Sequence, residues 1–386
     1  MKIAALSLAL SAAIVLAVPF TPIAATEPTT PTPSTVEPTA PRVTLPVGPL
    51  MAVRVQAARA PAITVPKVTI TQAPAPLNVG QNRHSAFPGL TRLPNGDLRL
   101  VWREGTDHAN ARDGMIMRAT SRDDGATYQD ALALRAGADY RDPSVSVING
   151  AEYLTWFTGT NAAPAQGAWA MREWGSAVRF DGGLSYAATT APLVRLPNGQ
   201  LGGAFYGRKP GEGVDTAFMA WSADGGGTWT NNRIANSIGA GVAHNEPFVV
   251  VDGALTHFFY RYGGSGLAVR TSTNSGLPLA SGGTGWDGAR QVLSNATGRP
   301  STVLAADGTL IMVYREASTG AARIAYSTDH AQTFQVGPVL LASKGGLGMT
   351  YAAMYASATG IYGVVGMEDS GGAASKLYGF RLAATP

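Results

Sequence analysis

The chain has 386 residues, of which 47 are Gly and 25 are Pro; 14% are charged, and the net charge of +4 is spread without a Lys/Arg cluster. That length holds one large β domain or two ordinary ones, and the dispersed charge gives a nucleic-acid role no footing. The absence of cysteine excludes a disulfide scaffold and any Cys-ligated metal.

Met1 and Lys2 ahead of the apolar run Ile3 to Val18 read as a signal peptide, with Ile23, Ala24 and Ala25 as its cleavage site. Pro19 and Pro22 interrupt the run and argue against an uncleaved anchor, so no stable membrane insertion is expected. Residues 26–42 are a Thr/Pro tract too poor in apolar side chains to pack, and 43–66 are also expected to be loosely structured. Residues 26–66 thus form a linker or stalk on a secreted or cell-surface protein, with the folded domain at 67–386.

From Lys67 a unit of about fifty residues repeats six times, the signature of a propeller or solenoid. The aligned positions are Pro88, Pro143, Pro192, Pro247, Pro300 and Ala352. In each unit an apolar strand meets a hairpin turn (Asn95-Gly96, Asn149-Gly150, Asn198-Gly199, Asp252-Gly253, Asp307-Gly308, Thr359-Gly360) and a second strand follows. A loop, a third strand, a second turn and a fourth strand complete the unit. The last unit is one strand short, and Val68 to Thr71 can supply it and latch the ring. Four strands repeated six times predict an all-β, six-bladed β-propeller of four-stranded antiparallel blades, closed by an N-terminal strand. The charges of the chain gather where first strands start and second strands end, so that face is the expected site.

The second turn carries an S-x-D-x-G-x-T-aromatic pattern. It is complete at Ser121 to Tyr128 and Ser222 to Trp229, has Ala at the Gly position in Ser327 to Phe334, and is decayed at Ser272 to Gly276. The Asp accepts backbone N–H bonds, Gly supplies a positive φ, and the aromatic plugs between neighbouring sheets. This pattern is the Asp-box, and the chain resembles the sialidase (neuraminidase) superfamily of Asp-box/BNR-repeat propellers over residues 67 to 386.

The resemblance implies an exo-α-sialidase-type glycoside hydrolase. Glu246 at the start of one first strand and Arg261, 15 residues later, resemble the pair in which Glu polarises a nucleophilic Tyr and Arg grips the substrate carboxylate. Tyr351 resembles that Tyr, and Glu368 a Glu common at the end of the next strand. Asp107 matches the general acid/base, with Asp113 as runner-up. An Arg before the last Asp-box is met by Arg323, with Arg315 as the alternative. The family's first carboxylate-binding Arg is replaced by Ala86; Arg83, Arg141 and Arg299 are its possible substitutes. A Tyr nucleophile suits a sugar whose anomeric carbon bears a carboxylate, since an anionic Asp or Glu would be repelled.

The plainer readings stay open: Glu246 and Arg261 as a structural salt bridge, and Tyr351 as a core aromatic. So do a non-catalytic carbohydrate-binding propeller and another glycosidase or lyase on this fold, which Ala86 favours. The expected partner is a glycan with an anionic sugar, and no cofactor is implied. The five His residues (84, 108, 244, 257 and 330) show no spacing such as H-E-x-x-H, so no catalytic metal is expected.

Overall fold

Apolar strands joined by tight turns bury a face only by stacking sheet on sheet. In the computed structural model, residues 67–80, 83–108, 112–159, 167–234, 242–278, 285–369 and 374–385 are described, and they form 25 strands and no helix. The expected leader and Thr/Pro stalk lie outside the described residues.

The strands group into five hydrogen-bonded sheets: three of four strands, one of five and one of eight. Six separate four-stranded sheets are therefore not what the hydrogen bonding gives. The eight-stranded sheet holds two antiparallel ladders, joined only by a parallel bridge between His84 and Ser375. One ladder begins with His84–Arg92 and the other with Met349–Ser357. The five-stranded sheet arises because the first strand of the third unit is broken. Tyr186–Ala188 and Val194–Arg195 both pair with Leu201–Arg208. Pro192, in the gap, has no N–H to give a ladder, and Thr189 Oγ1 donates instead to the Ala204 carbonyl at 2.8 Å.

First strands of successive units pack side by side, the last against the first, so the sheets close into a ring. The architecture is an all-β propeller. Lys67–Pro76 pairs antiparallel with Ser375–Thr385 and supplies the outer strand that the last unit lacks, which covers an edge otherwise open to pairing.

The Ser/Asp turns explain how neighbouring sheets lock. Ser222 Oγ accepts the Gly226 N–H at 2.7 Å, while Asp224 accepts the Thr228 N–H at 2.9 Å and its hydroxyl at 2.7 Å. The same bonds recur at Ser121 to Thr127 and Ser327 to Thr333. Each turn then sends an aromatic into the preceding unit. Trp229 packs 5.3 Å from Phe180 and Phe334 5.8 Å from Phe259. The Tyr128 hydroxyl donates to that of Tyr362 in the last unit at 3.2 Å, closing the ring at its seam.

Gly125 shows how little room that seam leaves. It has φ +89, and a Cβ there would fall 2.3 Å from the buried Tyr362 ring. The Tyr362 hydroxyl in turn donates to the Gly125 carbonyl at 3.2 Å. Gly125→Ala is expected to cost at least about 2 kcal/mol, combining left-handed strain with overpacking. The denaturant midpoint measures it, and an unshifted midpoint would refute the close seam.

Candidate functional site

The starts of the first strands pair with the ends of the second strands, as His84 does with Gly105 and His244 with Tyr262. In four units the first strand carries one extra residue just after this start: between Ala86 and Gly89, Arg141 and Ser144, Asn245 and Phe248, and Met349 and Ala352. The bulges hold Phe87, Asp142, Glu246 and Tyr351 in left-handed backbone, with φ of 55, 46, 51 and 64°. A bulge re-aims a side chain, and left-handed non-Gly residues carry strain that accumulates at functional sites. Here four equivalent bulges turn four side chains toward one place.

Tyr351 is 7% exposed, with its ring 5.1 Å from Phe87. Burial pushes its phenol well above the ordinary value; the charges of Glu246 and Asp142 push the same way, against Arg315 and Arg261. The phenol is therefore neutral at rest and must lose its proton to a base as it reacts. Arg261 Nη1 stands 3.4 Å from Glu246 Oε1, yet Glu246 Oε2 and Arg261 Nε are buried without hydrogen-bond partners among protein atoms. A half-satisfied buried ion pair costs stability unless something else completes it. An unpartnered Nε also occurs in the ion-paired Arg233 and Arg290, so it is the open Glu246 Oε2 that marks this pair.

Asp142 was not singled out by sequence reasoning, although it occupies the repeat position of Glu246, one before the aligned Pro. Burial raises its carboxyl to about 7, with Arg141 opposing and Glu246 adding to the rise. It is a carboxylic acid below that pH, able to donate a hydrogen bond. Tyr206, also buried, feels both Tyr351 and Glu246 and belongs to the same group.

Arg299, at the same repeat position in the fifth unit, has another role. Its side chain is 2% exposed. It donates to the Thr190 carbonyl at 2.5 Å and the Ala352 carbonyl at 2.6 Å, and reaches Pro88 O and Ser144 Oγ at 3.5 Å. Its guanidinium also stacks on Phe248 at 5.5 Å and Tyr351 at 5.0 Å. One buried cation thus ties the other five units together and stacks on Tyr351, a role in place of its expected substrate contact. Beside it the axis narrows to a void of about 20 Å³, so the ring centre is plugged. Outer cavities, such as one of about 280 Å³ lined by Tyr153, Arg172 and Asp224, share none of these residues.

The remaining expected residues divide. Arg315 acts on Tyr351 and donates to the Met349 carbonyl at 3.1 Å, so it stays with the site. Asp107 is half-buried in the loop after the second strand, its carbonyl accepting from Arg103 at 2.7 Å. Arg141 Nε donates to Asp139 at 2.7 Å. Arg83 pairs with Asp113, which also accepts the Thr106 N–H and hydroxyl at 3.1 Å; both residues pin the loop rather than present charge to a ligand. Arg323 is held by Glu316 at 3.0 Å and the Gly337 carbonyl at 3.3 Å, while the charge of Arg315 is felt at Tyr351. Glu368 is 1% exposed, too deep for substrate contact.

Glu368 lies instead among two imidazoles. Its Oε1 is 3.0 Å from His84 Nε2 and 2.5 Å from His108 Nδ1, and its Oε2 accepts the Leu347 N–H at 2.6 Å. Burial would raise its carboxyl, but the bonds from His108, His84 and Leu347 hold it down at about 2. These three residues form a potential metal-binding group. Local spacing could not reveal it, because its members come from positions 84, 108 and 368.

No family model and no curated protein matches the chain. Among solved structures it is similar to a protein of unknown function from Dyadobacter fermentans, at 15% identity and TM-score 0.67, over 83% of this chain and 100% of that one. It is also similar to the Trypanosoma rangeli sialidase in complex with sialic acid, at 14% identity and TM-score 0.59, over 82% of this chain and 59% of that one. A Hadza microbial sialidase aligns at 16% identity and TM-score 0.58, over 78% and 66%. The fold is a sialidase-like β-propeller. The chain spans about three fifths of the trypanosomal sialidase and two thirds of the Hadza one, and identities this low establish the fold alone.

Proposed function

We propose that this protein is a retaining glycoside hydrolase of the exo-α-sialidase type, acting on a terminal acidic sugar. In this reading the eight-stranded sheet counts as two blades, giving a six-bladed ring with its site at the open end. The observation that carries it is the convergence of Tyr351 and Glu246, both on bulged first strands, with Arg261 beside Glu246 and a buried Glu246 oxygen left over.

Tyr351 Oη attacks the anomeric carbon while its proton passes to Glu246. Asp107 protonates the departing oxygen and then activates the water that releases the sugar. Arg261 and Arg315 hold the sugar carboxylate, and the protonated form of Asp142 donates to a ring hydroxyl. A phenol is suited to this task because it meets the substrate carboxylate uncharged. The secreted or cell-surface location follows from the N-terminal reading and is part of the proposal.

A second reading, a carbohydrate-binding propeller without turnover, is favoured by one observation. Ala86 is fully buried, Arg83 is paired with Asp113 and Arg299 is committed to carbonyls, so neither Arg fills the place of the missing one. The test is release of fluorophore from an α-sialoside by the purified chain, with the anomer of the first product read by NMR. Release with retention supports the hydrolase. No release together with binding on a sialoglycan array replaces it by the second reading.

A further inference from the structure

We propose that His84 Nε2, His108 Nδ1 and Glu368 Oε1 form a binding site for one divalent transition-metal ion, with zinc the best match to the donor set. The three ligand atoms lie within 4.8 Å of one another. Zinc bonds of about 2.0–2.1 Å to N and O place neighbouring donors of a tetrahedron about 3.3 Å apart. The 3.0 Å and 2.5 Å separations from Glu368 Oε1 are shorter than that spacing, and an ion would spread these donors by less than about 1 Å. Two imidazoles and one carboxylate make a three-ligand centre with one position left open. The imidazoles select against Ca²⁺ and Mg²⁺, which favour oxygen donors.

The surroundings are built for a fixed carboxylate. His84 and Glu368 side chains are 0% and 1% exposed and that of His108 is 25% exposed, so the open position has a path to solvent on the His108 side. Leu347 N–H holds the other carboxylate oxygen. Gly346, with φ +57, brings its turn so close that a Cβ there would lie 2.7 Å from the same oxygen. Such support of the second oxygen is what orients a ligating carboxylate. Without an ion the same geometry is two imidazoles hydrogen-bonded to one carboxylate oxygen, and titration with metal separates the two arrangements.

The placement gives the ion a task. The Phe87 ring stands 5.1 Å from His108 and 5.1 Å from Tyr351, so the ion would sit one aromatic ring from the central site. His108 follows Asp107 directly in the loop, so the ion would tie that loop to the first strand of its own unit and to the end of Gly360–Glu368. Occupancy would thereby position Asp107. Only this last clause rests on the hydrolase reading; metal binding does not.

The full chain, stripped with chelator and dialysed, is titrated with zinc by calorimetry and by thermal shift. The expected result is one equivalent bound at micromolar affinity or tighter, a rise in Tm, and visible d–d absorption when cobalt replaces zinc. His108→Ala, a partly exposed position chosen over the fully buried Glu368 so that folding is spared, is expected to weaken zinc at least about tenfold and abolish the cobalt band. His330→Ala, at an exposed imidazole elsewhere, is expected to change neither. Substoichiometric uptake by the wild-type chain, or equal zinc response in wild type and His108→Ala, overturns the site whether or not the protein cleaves sialosides.

Discussion

Tyr351→Phe is expected to lower kcat on an α-sialoside by at least about 10³-fold while leaving the melting temperature within about 2 °C of wild type. The substitution removes one oxygen and keeps the ring that packs on Phe87 and on which Arg299 stacks. The core therefore keeps its shape, and on the hydrolase reading only the attacking oxygen is lost. The buried phenol is already held far from ionisation by its surroundings, so deleting its hydroxyl discards no stabilising charge. If Tyr351 were merely a core aromatic, Phe would be a nearly silent change. A variant with more than about a tenth of wild-type turnover removes Tyr351 from the chemistry, and a large fall in Tm would show that its hydroxyl serves the fold. Reading both quantities on one preparation separates those outcomes.

The turn chemistry was open to sequence reading because each device is local. A Ser, an Asp and a Gly within five residues carry their own hydrogen bonds, and the following aromatic has one place to go. Glu246, Arg261 and Tyr351 came from the family resemblance, and the structure adds that Glu246 and Tyr351 sit in bulges at one offset from the aligned Pro or Ala. That offset also contained Asp142 and Arg299, but composition alone does not separate a carboxyl turned into the site from a guanidinium committed to carbonyls. The difference lies in which carbonyls surround them, and those come from Pro88, Thr190 and Ala352. Arg83, Arg323 and Glu368 show contacts that the sequence did not reveal, for a related reason. Each sits at the right end of a strand, yet each is claimed by a partner distant in sequence or on a neighbouring strand: Asp113, Glu316, and the pair His84 and His108. The break at Pro192 was signalled by the residue itself, but five other units tolerate Pro or Ala at that place through a bulge or by its position at the strand's unpaired segment.

Asp142→Asn is expected to stabilise the protein at pH 8 by roughly 2–4 kcal/mol and by progressively less as the pH falls toward 4. The ordinary carboxyl value of 3.8 becomes about 7 in the folded chain, chiefly through burial. Between those two values the native state binds a proton that the unfolded state has released, so stability falls as the pH rises through this window. Above about 7 the folded chain carries a buried carboxylate beside Glu246, and the whole penalty is present. Asn is nearly isosteric, cannot ionise and tolerates the left-handed backbone that Asp142 adopts at φ 46°, so the substitution removes the charge with little change in conformation. The measurement is the difference in denaturant midpoint between variant and wild type across pH 4 to 8. A difference that does not vary with pH would mean that Asp142 is not the buried, proton-holding group described here. On the hydrolase reading the same variant should bind glycan more weakly below about pH 7, because an amide N–H is a weaker donor than a carboxylic acid O–H. A gain in stability paired with a loss of affinity is the pattern expected of a carboxyl retained for its ligand at the expense of the fold.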